Sequence, residues 1–270
     1  MNPSHVFRSF VLSAVFCLAA ASAFAQGAQA PAKPFEPVSG QPGKDVVWVP
    51  TPQTLVEKML DLAKLTPQDF HMDLGSGDGR TVITAAKRGA RSEGIEYNPD
   101  MVALSERNAK AAGVADRATF RKADLFETDF SKAQVVTLFL LPTINMKLRP
   151  AILNMRPGTR IVSNTFTMED WAPDQSETIG GDCVSWCTAH LWIVPAKVEG
   201  TWEVPGRGAL TLYQTFQMVS GSLGSAQVSQ GRLRGDEITF IAGGSTYTGR
   251  VDGNTIRGTV NGTAFTATKK

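Results

Sequence analysis

The sequence predicts an α/β fold: a Rossmann-like doubly wound sheet followed by a small antiparallel all-β domain at the C-terminal end. Three observations carry this expectation. Strand-like apolar runs alternate with runs of helical period between residues 54 and 164. A glycine turn, Gly75-Ser76-Gly77-Asp78-Gly79, directly follows the first such strand. From about Glu199 the helical period stops, and short alternating runs separated by Gly and Asn turns replace it. Strand–helix alternation winds a parallel sheet whose ligands bind beyond the strand C-termini. At 270 residues, with 42% apolar and 19% charged side chains, the chain is long enough to bury such a core together with one small second domain.

The elements follow in order. Arg8 precedes an apolar segment over 10–21, and Ala23-Phe24-Ala25 places small residues where a signal peptidase reads. Residues 1–25 are therefore expected to be a signal peptide, and the protein to be exported to the periplasm or secreted. The apolar run is short for a membrane span of about twenty residues, so membrane association follows only if residues 10–25 stay uncleaved as an anchor. Residues 26–45, rich in Ala, Pro and Gly, read as a flexible leader. A Rossmann-like domain is expected over 46–195 and a β-meander or barrel over 199–270. In the first domain, Leu55, Val56, Met59, Leu60, Leu62 and Ala63 mark a helix over 54–65, with Thr51 suited to its cap and Pro52 to its first turn. Strands are expected over 70–74, 92–97, 118–123, 134–140 and 159–164, and helices over 80–88, 99–112 and 143–155. In the tail, Gly243-Gly244, Asp252-Gly253-Asn254 and Asn261-Gly262 favour hairpins. The tail gathers no acids, bases or nucleophiles, which favours a structural or binding role.

The glycine turn and the acids around it point to a cofactor. A dinucleotide fingerprint requires a third glycine where this chain has Arg80, and Asp73, two residues before Gly75, would repel a pyrophosphate. Asp73 suits a cationic amino-acid moiety instead. Glu96, at the end of the second strand, is placed to accept from two ribose hydroxyls, and Asp124, after the third, from an adenine amino group. These positions fit S-adenosyl-L-methionine, with Thr51, Asp73, Gly75, Ser76, Gly77, Glu96, Tyr97, Asp124 and Leu125 as the cofactor-binding candidates.

Val49-Pro50-Thr51-Pro52, Asp73-Leu74-Gly75-Ser76-Gly77-Asp78-Gly79-Arg80, Gly94-Ile95-Glu96-Tyr97-Asn98-Pro99, Asp124-Leu125, Thr137-Leu138-Phe139-Leu140-Leu141-Pro142 and Arg160-Ile161-Val162-Ser163 occur in this order. With them the chain resembles the seven-strand lysine methyltransferases that modify the c-ring protein of ATP synthase, and their bacterial relatives. The resemblance covers about residues 46–195. It implies methyl transfer to a protein lysine, and a Val-Pro-Thr-Pro segment that closes over the cofactor. A small-molecule acceptor, or an exported binding protein that keeps the fold without catalysis, is the alternative.

A lysine ammonium, with an ordinary pKa of about 10.4, must lose a proton before it can accept a methyl group, and an apolar channel favours that loss by desolvation. Leu141 and Pro142 are the candidates for such a channel, with no general base assigned, whereas Phe139 reads as core. Trp48, Trp171 and Trp186 are each expected in the core, with an acceptor channel as the other use. His190 reads as a hydrogen-bonded strand residue. Cys183 and Cys187 can bond only if the chain turns between them, since an extended strand holds them too far apart. Three histidines and three cysteines in the whole chain do not suggest a metal site. A net charge of +2, without a Lys/Arg run interleaved with aromatics, argues against a nucleic-acid partner.

Overall fold

The computed structural model describes residues 35–181 and 183–270. The expected signal peptide, and the leader as far as residue 34, lie outside the described residues. Eleven elements build the first domain: α1 (Gln53–Leu62), β1 (Phe70–Leu74), α2 (Arg80–Lys87), β2 (Arg91–Glu96), α3 (Pro99–Ala111), β3 (Ala118–Lys122), β4 (Val135–Leu138), α4 (Pro142–Leu153), β5 (Arg160–Asn164), β6 (Gln175–Thr178) and β7 (Thr188–Ile193). Their sheet runs β3-β2-β1-β4-β5-β7-β6. β1 to β5 pair in parallel. The sheet is not parallel throughout, because the β6–β7 hairpin inserts β7 antiparallel against β5. The strand order reverses at β1 and β4, which opens a crevice beyond their C-terminal ends.

Each face of the sheet is covered by a different helix set. Leu55, Met59 and Leu62 of α1 pack with Val135, Val162 and Leu191 on one face. Ile144, Leu148 and Ile152 of α4 pack with Met72, Leu74, Val136 and Leu138 on the other. α3 starts where the sequence signals it: Asn98 accepts from the Asp100 backbone N–H at 2.9 Å, with Pro99 in the first turn. Thr51 does not cap α1 as expected. The helix begins at Gln53, with Pro52 at the cap position rather than in the first turn and no side-chain cap, and the Thr51 hydroxyl instead accepts from Asn164 Nδ2 at 3.3 Å.

The second domain is a closed eight-stranded barrel of β8 (Gly200–Val204), β9 (Gly208–Thr215), β10 (Met218–Leu223), β11 (Ala226–Arg234), β12 (Glu237–Ala242), β13 (Ser245–Asp252), β14 (Thr255–Val260) and β15 (Thr263–Lys269). β15 pairs with β8 to complete the ring. Burial alternates along strands such as β13, and Trp202, Leu212, Ile238, Phe240, Tyr247 and Phe265 share one interior. Tyr247 stacks on Phe240 at 4.7 Å and meets Phe265 edge-on at 5.3 Å, so side chains fill the barrel. Gly221, at φ 141° in a register shift between β10 and β11, permits the tight bend; a Cβ there would lie 1.9 Å from the Thr211 carbonyl oxygen.

Trp171 locks the barrel to the sheet. It lies fully buried in the β5–β6 connection, and its ring stacks on Phe216 of the β9–β10 turn at 5.7 Å. Its Nε1 donates to Gln217 Oε1 at 3.0 Å, and Gln217 Nε2 donates to the Ala172 carbonyl at 2.8 Å. Arg232 of β11 pairs with Asp174 at 2.7 Å, and Arg149 of α4 lies 5.2 Å over the Phe216 ring.

Candidate active site

The crevice beyond β1 and β4 is a single cavity walled by the glycine turn, the β2 and β3 ends, the segment after β4 and residues 41–51. The turn after β1 is held by its carbonyls: Ser105 Oγ donates to Gly77 O at 2.9 Å, and Asn108 Nδ2 to Asp78 O at 3.0 Å. Gly77 adopts φ 55°, and a Cβ there would sit 2.5 Å from Trp48 Nε1, so only glycine lets that indole close over the turn. Arg80 pairs with Asp78 at 2.6 Å and donates to the Thr51 carbonyl at 2.8 Å, tying the turn to the Val-Pro-Thr-Pro segment.

Three acids point into this cavity, each in a different state. Glu96 is oriented by two backbone donors, Gly77 N and Asn98 N, both at 2.9 Å, which leave carboxylate lone pairs free for hydroxyls. Asp124 accepts from Phe126 N at 2.9 Å and pairs with Lys44 at 2.9 Å, and the Lys44 bond holds its carboxyl below the usual range. Lys44 itself stands 5.3 Å from the Tyr97 ring centre. Asp73 is buried and has no cationic partner among the described residues. Burial pushes it up to about 7, with the like charges of Glu96 and Asp78 adding to the rise and hydrogen bonds from Thr137 and Thr81 opposing it.

A buried chain of hydrogen bonds sets the Asp73 orientation. Thr137 Oγ1 donates to Asp73 Oδ1 at 2.5 Å and lies 2.9 Å from His71 Nε2, while His71 Nδ1 lies 2.6 Å from Ser92 Oγ. Since Thr137 spends its proton on Asp73, it accepts from His71 Nε2–H, and Ser92 then donates to Nδ1. Burial pushes His71 down to about 3, so it stays neutral, as this chain requires.

Thr51, Asp73, Gly75, Ser76, Gly77, Glu96, Tyr97, Asp124, Leu125 and Leu141 all line the cavity. Pro142 does not; it is the first residue of α4, where its ring and missing N–H suit the helix start. Phe139, read as core, lines the cavity and stacks on Phe166 at 6.0 Å. Trp48 and Trp186 also leave the core for the cavity wall, and only Trp171 of the three is buried as expected. Cys183 and Cys187 are bonded, with Cα atoms 5.9 Å apart, because the β6–β7 connection turns there instead of running extended. Residues 41–45, read as leader, form part of the wall. His190 is the strand residue anticipated, at 2.7 Å from Ser176 Oγ and 3.1 Å from the Thr165 carbonyl. Among the described residues no group of His, Cys, Asp and Glu is placed to hold a metal ion, and no helix is long and apolar enough to cross a membrane. No barrel residue lines the cavity.

Residues 73–175 match the ANTKMT methyltransferase domain. A protein-lysine N-methyltransferase of Saccharolobus islandicus is 41% identical over 133 residues, which cover 48% of this chain and 83% of that protein. The chain belongs to this methyltransferase family. The adenine nucleotide translocase lysine N-methyltransferase of Mus musculus is 34% identical over 44% of this chain and 52% of its own length. The crystal structure of an RNA methyltransferase from Salinibacter ruber in complex with S-adenosyl-L-homocysteine is 49% identical, with a TM-score of 0.52, over 56% of this chain and 96% of that one. The methyltransferase takes S-adenosyl-L-methionine as its donor, and the site fits it: a buried acid lacks a cation, a second acid has lone pairs free for a diol, and Gly75 and Gly77 in the turn let a ligand approach the backbone closely.

Glu96→Ala is expected to weaken donor binding by about 1–3 kcal/mol, since a charged acceptor for two hydroxyls is lost. Titration calorimetry with S-adenosyl-L-homocysteine reads this directly. Unchanged affinity would place the ribose elsewhere.

Proposed function

We propose that the methyltransferase transfers methyl to a protein lysine side chain. The observation that carries this reading is a cavity lining that sets acids beside an apolar and aromatic cluster. Asp73, Glu96 and Asp124 are its acids. Phe139 stands against Phe166 and Trp186, with Leu140, Leu141 and Ile144 also on the wall. The names of the archaeal and mouse relatives support a lysine acceptor.

The donor supplies an activated methyl on a sulfonium, displaced in line by the acceptor nitrogen. Asp73 and Glu96 fix the donor's position, and the glycine turn sets its depth. Phe139, Leu140 and Leu141 strip water from the incoming amine, which favours its neutral, nucleophilic form over the ammonium. No general base is required at the aromatic cluster, because the proton leaves before the amine is sequestered. Leu141 is 38% exposed at the mouth, so it meets the acceptor without being part of the fold's core.

Leu141→Asp is therefore expected to lower the methylation rate by an order of magnitude or more, at least about 1.4 kcal/mol in the barrier, while donor affinity changes far less. Radiolabelled donor with cell-envelope protein and with synthetic polylysine, in parallel with total RNA, tests the proposal. Label on lysine supports it. Label on RNA alone would favour the second reading, which the Salinibacter ruber likeness brings forward and the net charge of +2 opposes. We also propose that the mature protein works outside the cytoplasm. The bonded Cys183–Cys187 pair supports an oxidising compartment. Ala25→Arg should leave a slower-migrating precursor on a gel, and identical migration of the two proteins would count against cleavage.

A further inference from the structure

The β6–β7 connection carries two large apolar side chains that no core explains. Val184 is 93% exposed and Trp186 43% exposed, on a turn of nine residues over 179–187. The turn is closed twice. Ile179 N donates to the Cys187 carbonyl at 2.9 Å at its base, and the Cys183–Cys187 bond closes a ring of five residues at its tip. Trp186 sits inside that ring at φ 56°, a left-handed conformation that a bulky residue adopts only where its surroundings impose it. Its ring meets Phe139 edge-on at 6.1 Å, and Phe139 stacks on Phe166 at 6.0 Å. Three aromatic walls thus stand together in the cavity lining, from the β4 end, the β5 end and the bonded turn. The turn lies beyond residue 175, outside the segment that matches the shared methyltransferase domain.

We propose that the Cys183–Cys187 ring is a clamp that holds Trp186 as the third wall of a subsite for the methylated ammonium head of the product lysine, and that the subsite is complete only in the oxidised chain. This rests on the lysine reading. Aromatic faces attract a cation that carries its charge on a poorly hydrated, methyl-covered nitrogen, and three such faces favour each further methyl group on it. The subsite therefore binds a more highly methylated lysine head more tightly than an unmethylated one. Reduction by an added dithiol opens the ring, leaves two thiols, and frees Trp186 from the turn that aims it at Phe139.

The experiment titrates the full mature protein, with S-adenosyl-L-homocysteine bound, against Nα-acetyl-Nε-trimethyl-lysine amide, the dimethyl and unmethylated forms, and the neutral tert-butyl isostere of the trimethyl form. In the oxidised wild type the trimethyl probe is expected to bind tightest, ahead of its neutral isostere. Trp186→Ala should weaken it about three- to tenfold, whereas Trp186→Phe keeps most of the affinity. Wild type treated with dithiothreitol, and Cys183→Ser, should show the same loss, with no further loss when reduction is combined with Trp186→Ala. S-adenosyl-L-homocysteine affinity should remain as in wild type throughout, which rules out unfolding as the cause. Equal probe affinity in wild type, Trp186→Ala and reduced protein would overturn the clamp and leave the lysine reading standing. Failure of every lysine probe to bind wild type, with the cofactor product still bound and no lysine labelled, would overturn both.

Discussion

Trp171→Ala is expected to destabilise the folded chain by about 3–5 kcal/mol. The indole is fully buried, stacks on Phe216 and lies 6.3 Å from the Trp192 ring. Its Nε1–H satisfies Gln217 Oε1, which would otherwise be left buried without a donor. The loss is a cavity plus an unsatisfied polar group, and it falls where barrel and sheet meet. Denaturant unfolding followed by Trp fluorescence should therefore show a lower midpoint. Because the joint is broken and each domain keeps its own core, the single transition should also separate into two. A variant within about 1 kcal/mol of wild type, unfolding in one step, would mean that the two domains are held together by other contacts.

Donor affinity is expected to depend on pH through Asp73, with a sign fixed by its surroundings. The free carboxyl is raised to about 7, above the unfolded value of 3.8, by burial and by the charges of Glu96 and Asp78, with Thr137 and Thr81 opposing. The donor's ammonium needs the ionised form and lowers the pKa once bound. Binding therefore releases a proton below about pH 7, and affinity falls about tenfold per pH unit as pH drops further. On the alkaline side affinity declines again as the donor's α-amino group, ordinarily near 7.7–8.0, loses its own proton. The same shift acts on folding: the ligand-free protein gains stability from Asp73 at acid pH and loses it as pH rises from 3.8 towards about 7. Thr137→Val removes the donor to Asp73 and should move the acid limb to higher pH, with Thr137→Ser restoring it. Calorimetry in buffers of different ionisation enthalpy measures the proton release. Affinity that is flat between pH 5.5 and 7 in wild type would show that Asp73 is already ionised without ligand.

Much of the sheet was legible because its strands carry local signals. β1 falls on the expected residues, and β2, β3 and β5 differ from expectation by a residue at one or both ends. β4 is shorter than the apolar run 134–140, because Phe139, Leu140 and Leu141 leave the sheet to wall the cavity. β6, Gln175-Ser176-Glu177-Thr178, has no apolar alternation to mark it, being an edge strand paired on one side only. The antiparallel placement of β7 is a long-range pairing that no local pattern encodes. Asp73, Glu96 and Asp124 were readable because fixed spacing puts them at successive strand ends. Lys44 was not, since the Gly- and Pro-rich segment up to residue 45 resembles a leader until its backbone closes through Gly40 N to Trp48 O at 2.8 Å, and Trp48 itself read as core. The Phe166 wall and the His71–Thr137–Asp73 chain also join residues far apart in sequence; paired polar residues at alternate positions of apolar strands, such as His71 and Asp73, are the signal that would have suggested the latter.

The pairing of β15 with β8 places the last strand beside the first, with Lys270 N donating to the Thr201 carbonyl at 2.9 Å. A closed ring of strands has no free margin, so clipping even this short terminal segment would do more than trim an end. It would expose the unpaired backbone of β14 and β8 at once and open a greasy interior to water. Such margins recruit strands from other molecules. A carboxy-terminal truncation is thus expected to leave a protein that clumps, although every residue of its cleft is intact.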